Sequence, residues 1–212
     1  GSGHIVGVNV DVFRPDPVQR RETRVWLNIT DDTTVFVFAG RIHVDKGVTE
    51  LVMAFKRLAN EADVHLFILG DIDEGQPQEF IHHFRQFCNE KAVTWFGHQK
   101  NIARYLQSAD CFVSASYREG FSNSMLQAGS CGLISVLTDV FGVQEYVDGK
   151  SHGLVVPPAD DNALYDAMKS VAVLAIDERR QRGLSARKLV IEKYEMNSVF
   201  ENHLRLYQDI VP

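Results

Sequence analysis

Along this chain, short apolar runs alternate with longer segments in which apolar residues recur at every third or fourth position. The first strong run, Thr34 to Ala39, is unbroken by charge and ends at Gly40, the pattern of a strand covered on both faces. After Gly47, the residues Val48, Leu51, Val52, Phe55, Leu58 and Ala59 stand at offsets zero, three, four, seven, ten and eleven. Those offsets predict a helix with one buried stripe. The alternation then repeats. Strands are predicted at Val64 to Leu69, Val93 to Phe96, Cys111 to Ser114, Leu133 to Leu137 and Gly153 to Val156. The helices between them are predicted at Gln78 to Glu90, Asn101 to Ser108, Asn123 to Cys131 and Val143 to Val147. Beyond Pro157-Pro158 another helical stripe starts near Asp160, and two helices follow, from about Asp177 to Tyr194 and from Ser198 to Gln208. Ser198-Val199-Phe200-Glu201 fits a capping box for the last of them. The stretch before Thr34 is different. Ile5 to Pro17 reads as an extended connector ending in a Pro-Asp-Pro turn, and a polar segment with no predicted element follows.

Short apolar strands alternating with amphipathic helices imply βαβ units and a parallel sheet. Right-handed crossovers then place helices on both faces. The expected fold is α/β, a single doubly wound, mostly parallel, Rossmann-like sheet spanning residues 18–194. Residues 1–17 are expected to be a short scar and a connector, and 195–212 a C-terminal helix. At 212 residues, 45% of them apolar, the chain can bury a substantial core. Ligands of such sheets sit beyond the carboxyl ends of the strands, so the loops there are where chemistry is sought.

Charge and cysteine usage narrow the classes. The formal charge is −6 with no basic run, which speaks against nucleic acid or an anionic membrane as a partner. An anionic ligand has to be caught by a few placed cations and by backbone dipoles. Cys88, Cys111 and Cys131 are odd in number, lack C-x-x-C spacing and sit among apolar residues, as reduced core thiols do. Reduced thiols fit a cytoplasmic protein. No apolar run approaches the ~18 residues of a membrane span, and no signal-peptide pattern opens the chain.

Two loops carry candidate chemistry. After the first strand comes Gly40-Arg41-Ile42-His43-Val44-Asp45-Lys46-Gly47. Gly40 permits close approach of a ligand, and Arg41 and Lys46 bracket a loop that opens a helix, a setting suited to a diphosphate. The Arg-x4-Lys spacing alone is met equally by two solvated surface cations. After the Cys111 strand comes Arg118-Glu119-Gly120-Phe121-Ser122-Asn123-Ser124-Met125-Leu126-Gln127. Ser122 is a plausible N-cap, leaving the amides of Asn123 and Ser124 to face an anion. Gln127 lies little more than one turn inside that helix, so Glu119 and Gln127 can approach one ligand from two sides; an ordinary loop acid and a surface amide fit the same two positions equally. Asp71-Ile72-Asp73 spells a D-x-D string at a strand end, yet no metal role is expected of it. His82 and His83 are adjacent on a predicted helix and do not share a face.

These elements form one ordered series. Gly40-Arg41-x4-Lys46-Gly47, Gly97 after a Trp-Phe strand end, Ala109-Asp110, Glu119-Gly120-Phe121 and Gly132 come first. Thr138-Asp139, Glu145-Tyr146-Val147-Asp148-Gly149 and Gly153-Leu154-Val155 complete it. The series resembles the C-terminal, donor-binding domain of GT-B-fold glycosyltransferases of the retaining family 4 (group 1) type, over roughly residues 5 to 212. The resemblance implies that Arg41 and Lys46 hold the donor's diphosphate and steady the leaving group, and that Glu119 contacts the donor sugar. It likewise assigns Phe121, Ser122, Asn123 and Ser124 to sugar and phosphate, and Gly97 and His98 to the surroundings of the base. Glu145 matches a common family position. Gln127 departs from the pattern, because the family's Glu-x7-Glu motif usually has a ribose-binding glutamate there. A glutamine keeps hydrogen bonds to a diol but loses their charge-assisted part.

The resemblance implies transfer of a sugar from a UDP-, GDP- or ADP-sugar to an acceptor hydroxyl, with no cofactor and no metal required. Polysaccharide or glycolipid biosynthesis is the setting it suggests. The family's acceptor site lies in a preceding N-terminal domain, expected to be missing here, so the domain alone is expected to bind nucleotide and transfer little. Any peripheral membrane association is expected only through that missing domain. A GT-B nucleotide-sugar epimerase and a non-catalytic nucleotide-sugar module fit the same residues. A Rossmann dehydrogenase does not, since no G-x-G-x-x-G follows the first strand.

Overall fold

A computed structural model describes residues 7–147, 152–201 and 204. Six strands form one sheet in the order β3-β2-β1-β4-β5-β6, every neighbouring pair parallel. They are β1 (Thr34–Ala39), β2 (Val64–Leu69), β3 (Val93–Trp95), β4 (Cys111–Ser114), β5 (Ile134–Thr138) and β6 (Gly153–Val156). The helices are α1 (Pro17–Trp26), α2 (Val48–Ala59), α3 (Gln78–Phe87), α4 (Ala103–Ser108), α5 (Asn123–Ser130), α6 (Val143–Val147), α7 (Asp161–Ala172) and α8 (Ile176–Tyr194). A one-turn 3₁₀ helix, Val44–Lys46, precedes α2. This is the α/β, doubly wound, Rossmann-like architecture that the apolar pattern predicts.

Both faces of the sheet are covered, which is why its strands read as unbroken apolar runs rather than as alternation. Phe36, Leu66, Ile68 and Val113 pack with α2, α3 and α7 on one side. Val35, Val37, Phe67 and Phe112 pack with α4, α5, α6 and α8 on the other. The chain starts at β1, winds outward through β2 and β3, then crosses back to β4. The order therefore reverses between β1 and β4, and the crevice beyond their carboxyl ends is the place such a sheet offers a ligand.

Three sequence expectations are corrected. The polar segment after Pro17 is a helix, α1, capped by Asp16, whose carboxylate accepts from the amides of Val18 and Gln19. It has no apolar stripe because it is held by polar side chains: Thr23 and Arg24 are its buried residues. The connector is also not all peripheral. Val8 is buried in the core and exchanges backbone hydrogen bonds with Tyr194 and Met196 at the end of α8. Finally, Ser198 is not the cap of the helix after α8. Residues 196–201 are already helical, and Glu195 caps them, its carboxylate accepting from the Asn197 and Ser198 amides and the Ser198 hydroxyl. The first residues of the predicted connector, Asp148-Gly149 and the rest of the predicted C-terminal helix lie outside the described residues.

Candidate functional site

The carboxyl ends of β1, β2 and β3 are drawn together by glycine. A Cβ on Gly70 would stand 1.9 Å from the Gly40 carbonyl oxygen, and Gly70 adopts a positive φ of 137°. The Gly70 amide donates to the Gly97 carbonyl at 2.8 Å. Gly97 is itself left-handed, at φ 63°, and the next amide, His98 N, donates to Asp71 Oδ1 at 2.8 Å. The Trp95 indole closes the same corner by donating to the Gly70 carbonyl. Gly40, Gly70 and the Gly97-His98 loop are thus tied together at one corner by close backbone contacts that need glycine at position 70.

The loop after β1 and the loop after β4 are joined just as closely. Gly47, left-handed at φ 62°, lies so near Ala115 that a Cβ would stand 1.9 Å from its carbonyl oxygen. The Tyr117 amide donates to the Asp45 carbonyl at 2.9 Å, and its phenol donates to Glu50 Oε1 at 2.5 Å. Burial, and then this bond to Glu50, pushes the Tyr117 phenol up to about 12. Lys46 Nζ meets Glu119 Oε2 at 2.5 Å, with both side chains about four-fifths covered.

Beyond these loops lies a cleft of about 470 Å³. Its walls include Gly40, Arg41, His98, Asn123, Ser124 and Gln127, which come from two different loops and the first turns of α5. Ser122 is the α5 N-cap, its hydroxyl accepting from Met125 N at 3.4 Å. The first helical bond of α5 is Leu126 N to Ser122 O, so the Asn123 and Ser124 amides precede it and are open to an acceptor. A helix N-terminus of this kind favours an anion.

Not every predicted site residue takes part in that wall. Lys46, Gly97, Glu119, Phe121 and Ser122 stand outside the cleft lining. Phe121 turns its ring onto Tyr194, at a centroid distance of 5.0 Å, on the core side of the loop. Arg41 is mostly exposed and pairs with Asp73, while Lys46 is held by Glu119. Glu145 is exposed on α6. Asp71 and Asp73 are separately engaged, one by the His98 amide and the other by Arg41. Among the described residues no three His, Cys, Asp or Glu side chains come together as metal ligands do. Sequence reasoning set these two aspartates aside as a misleading D-x-D string. Their signal was the Gly70-Asp71 turn at a strand end, which ties the Gly97-His98 loop to the turn after β2.

The glycosyl transferases of group 1 match this chain over residues 33–172, most of the described fold. The chain belongs to that family. Among curated relatives it is 27% identical over 209 residues to the N,N'-diacetylbacillosaminyl-diphospho-undecaprenol alpha-1,3-N-acetylgalactosaminyltransferase of Campylobacter jejuni. That match covers 97% of this chain and 53% of the relative, so the chain spans about half the length of the relatives it matches. The Anabaena HepE structure, solved in complex with UDP and glucose, superposes with a TM-score of 0.85 at 17% identity. The match covers 95% of this chain and 55% of that one. The C-terminal domain of a Francisella tularensis group 1 glycosyl transferase gives a TM-score of 0.76 at 20% identity, covering 90% of this chain and 100% of that one. These two likenesses show the fold, the GT-B-like Rossmann unit. No helix among the described residues is long and apolar enough to cross a membrane.

Proposed function

We propose that this chain is the donor-binding half of a retaining glycosyltransferase, holding a UDP-, GDP- or ADP-sugar in the cleft at the β1/β4 switch point. The observation that carries the reading is the convergence of Gly40, Arg41, His98, Asn123, Ser124 and Gln127 on one cleft beyond the strand ends. The base lies toward Gly97 and His98, Gln127 takes the ribose hydroxyls, and the diphosphate faces Gly40, Arg41 and the α5 N-terminus. Support comes from HepE, whose similarly folded chain was solved with UDP and glucose.

The chemistry follows from charge. As the sugar–phosphate bond breaks, negative charge grows on the departing diphosphate, and groups fixed in advance to meet it lower the barrier. Arg41 and Lys46 each arrive already paired with a carboxylate, Asp73 and Glu119. Donor binding exchanges those pairs: the diphosphate takes the two cations, and Glu119 is freed toward the sugar hydroxyls. These groups supply the stabilisation without a metal ion. The acceptor and the rest of the active site come from a preceding domain, so this half binds nucleotide and transfers little by itself. Its free cysteines fit a cytoplasmic enzyme, and polysaccharide or glycolipid assembly is the setting the relatives' names favour.

Calorimetry with UDP-glucose, GDP-mannose and ADP-glucose, each with and without EDTA, tests the reading. One nucleotide series is expected to bind, unaffected by the chelator. Binding by none of the three would overturn the proposal, and binding only with added divalent metal would overturn its metal-free part.

A further inference from the structure

At the opposite pole of the sheet a second cavity, also of about 470 Å³, is lined by Asp16, Arg20, Asp110, Leu133, Arg179 and Arg180, among others. Asp110 immediately precedes β4 and Leu133 immediately precedes β5. All the strands are parallel, so this cavity lies at their amino ends, away from Gly40 and Gly70. It carries more positive charge than its own carboxylates answer.

The carboxylates are already engaged. Asp110 Oδ1 accepts from Arg20 Nη2 at 2.8 Å, and Oδ2 accepts from Arg24 Nη2 at 3.1 Å and from Val35 N at 2.8 Å. Asp16 caps α1. Arg179 has no such partner. It is 8% exposed, one of its Nη atoms donates to the Thr34 hydroxyl, and its buried Nε has no hydrogen-bond partner. No carboxylate among the described residues forms an ion pair with it. Arg20 and Arg24 therefore share the carboxylate of Asp110, and Arg179 is left without one. Burial holds the Arg24 guanidinium below its ordinary value; Asp110 and, to a smaller extent, Asp31 offset part of this, while Arg20 and Arg179 add to the depression. Beside them Arg180 is largely exposed, with Asp177 3.7 Å away. The helix that bears Arg179 and Arg180, α8, starts here with no side-chain cap, so its first amides lack an acceptor from that source.

A buried guanidinium without a counter-ion is costly, and what usually answers it is an anion. Forked N–H donors and an uncapped helix N-terminus suit the oxygens of a phosphate. We propose that this cavity is a second, anion-binding site that takes a phosphate group, from either inorganic phosphate or a small phosphomonoester. The site is independent of the donor cleft and of the function proposed for it.

Calorimetry on the whole chain with inorganic phosphate and with glycerol 3-phosphate tests this. The Arg41→Ala, Lys46→Ala double variant is included to remove the cations of the donor cleft. Binding is expected to persist in that double variant and to weaken roughly tenfold in Arg179→Gln, the loss of charge-assisted bonds to the anion. Arg180→Gln changes an exposed position, so it is expected to leave the fold intact and to weaken binding as well. Should Arg179→Gln fail to fold by circular dichroism, Arg180→Gln alone decides. Tighter binding of glycerol 3-phosphate identifies a phosphomonoester site, and equal affinity a free-phosphate site. The proposal is overturned if neither probe binds at millimolar concentration. It is also overturned if binding vanishes in the donor-cleft variant, or if every folded variant at Arg179 and Arg180 binds as the parent does.

Discussion

Gly47 does at the residue scale what no other residue type can do at its position. Its left-handed backbone and its approach to Ala115 weld the loop after β1 to the loop after β4, bringing Lys46 within reach of Glu119. Gly47→Ala is expected to destabilise the domain by about 1–3 kcal/mol from backbone strain alone, with the clash against Ala115 adding to it. Urea unfolding measures this, and an unchanged midpoint would contradict the packing described here. Gln127 is the other decisive single residue. It stands in the cleft wall, at the position where the sequence resemblance implies a ribose-binding glutamate. In the proposed donor site Gln127→Glu would place a charge-assisted bond on the ribose diol, and it is expected to tighten nucleotide binding roughly fivefold. Equal affinities in calorimetry would remove the ribose from Gln127's role.

Among the elements, α1 shows how a helix can be invisible to hydrophobic patterning. It docks through Arg20 and Arg24, which reach across to Asp110 and to the carbonyls of Thr33, Ser108 and Ala109. Nothing in a period of apolar residues announces a helix whose buried face is charged. Asp110 also accepts from Val35 N, so the same carboxylate fixes the start of β1. Asp110→Asn leaves two guanidiniums without their counter-charge and is expected to cost about 3 kcal/mol, read as a lowered urea midpoint. A cost near zero would mean that α1 is held by its other contacts.

For the whole molecule, the clearest solution property follows from His65 on β2. Burial, followed by the nearby Arg24, lowers its pKa from 6.5 to about 4, while Asp63 opposes the shift. Its Nε2 lies 2.8 Å from the Thr94 hydroxyl, bridging β2 and β3. With the folded value below the unfolded one, the unfolded chain binds the extra proton. Stability is therefore full above about 6.5 and falls as the pH drops toward about 4. His65→Gln is expected to flatten that part of the profile. An identical slope in parent and variant would assign the acid loss to other groups.

The sequence by itself determined the alternation of strands and helices, hence the parallel sheet and the end of it that carries the site. Both follow from local periodicity, since a strand covered on two faces must be apolar throughout and a covering helix must carry a stripe. The Ser122 cap was legible for the same reason, as was the position of Gly40 and Arg41 beyond β1, because each sits at the end of a readable element. The tertiary structure alone decided the pairings: Arg41 with Asp73, Lys46 with Glu119, and Arg20 and Arg24 with Asp110. It also separated Arg179 from any such carboxylate. Ion pairs and buried charges join residues far apart in the chain, and no spacing along the sequence encodes the distance between them.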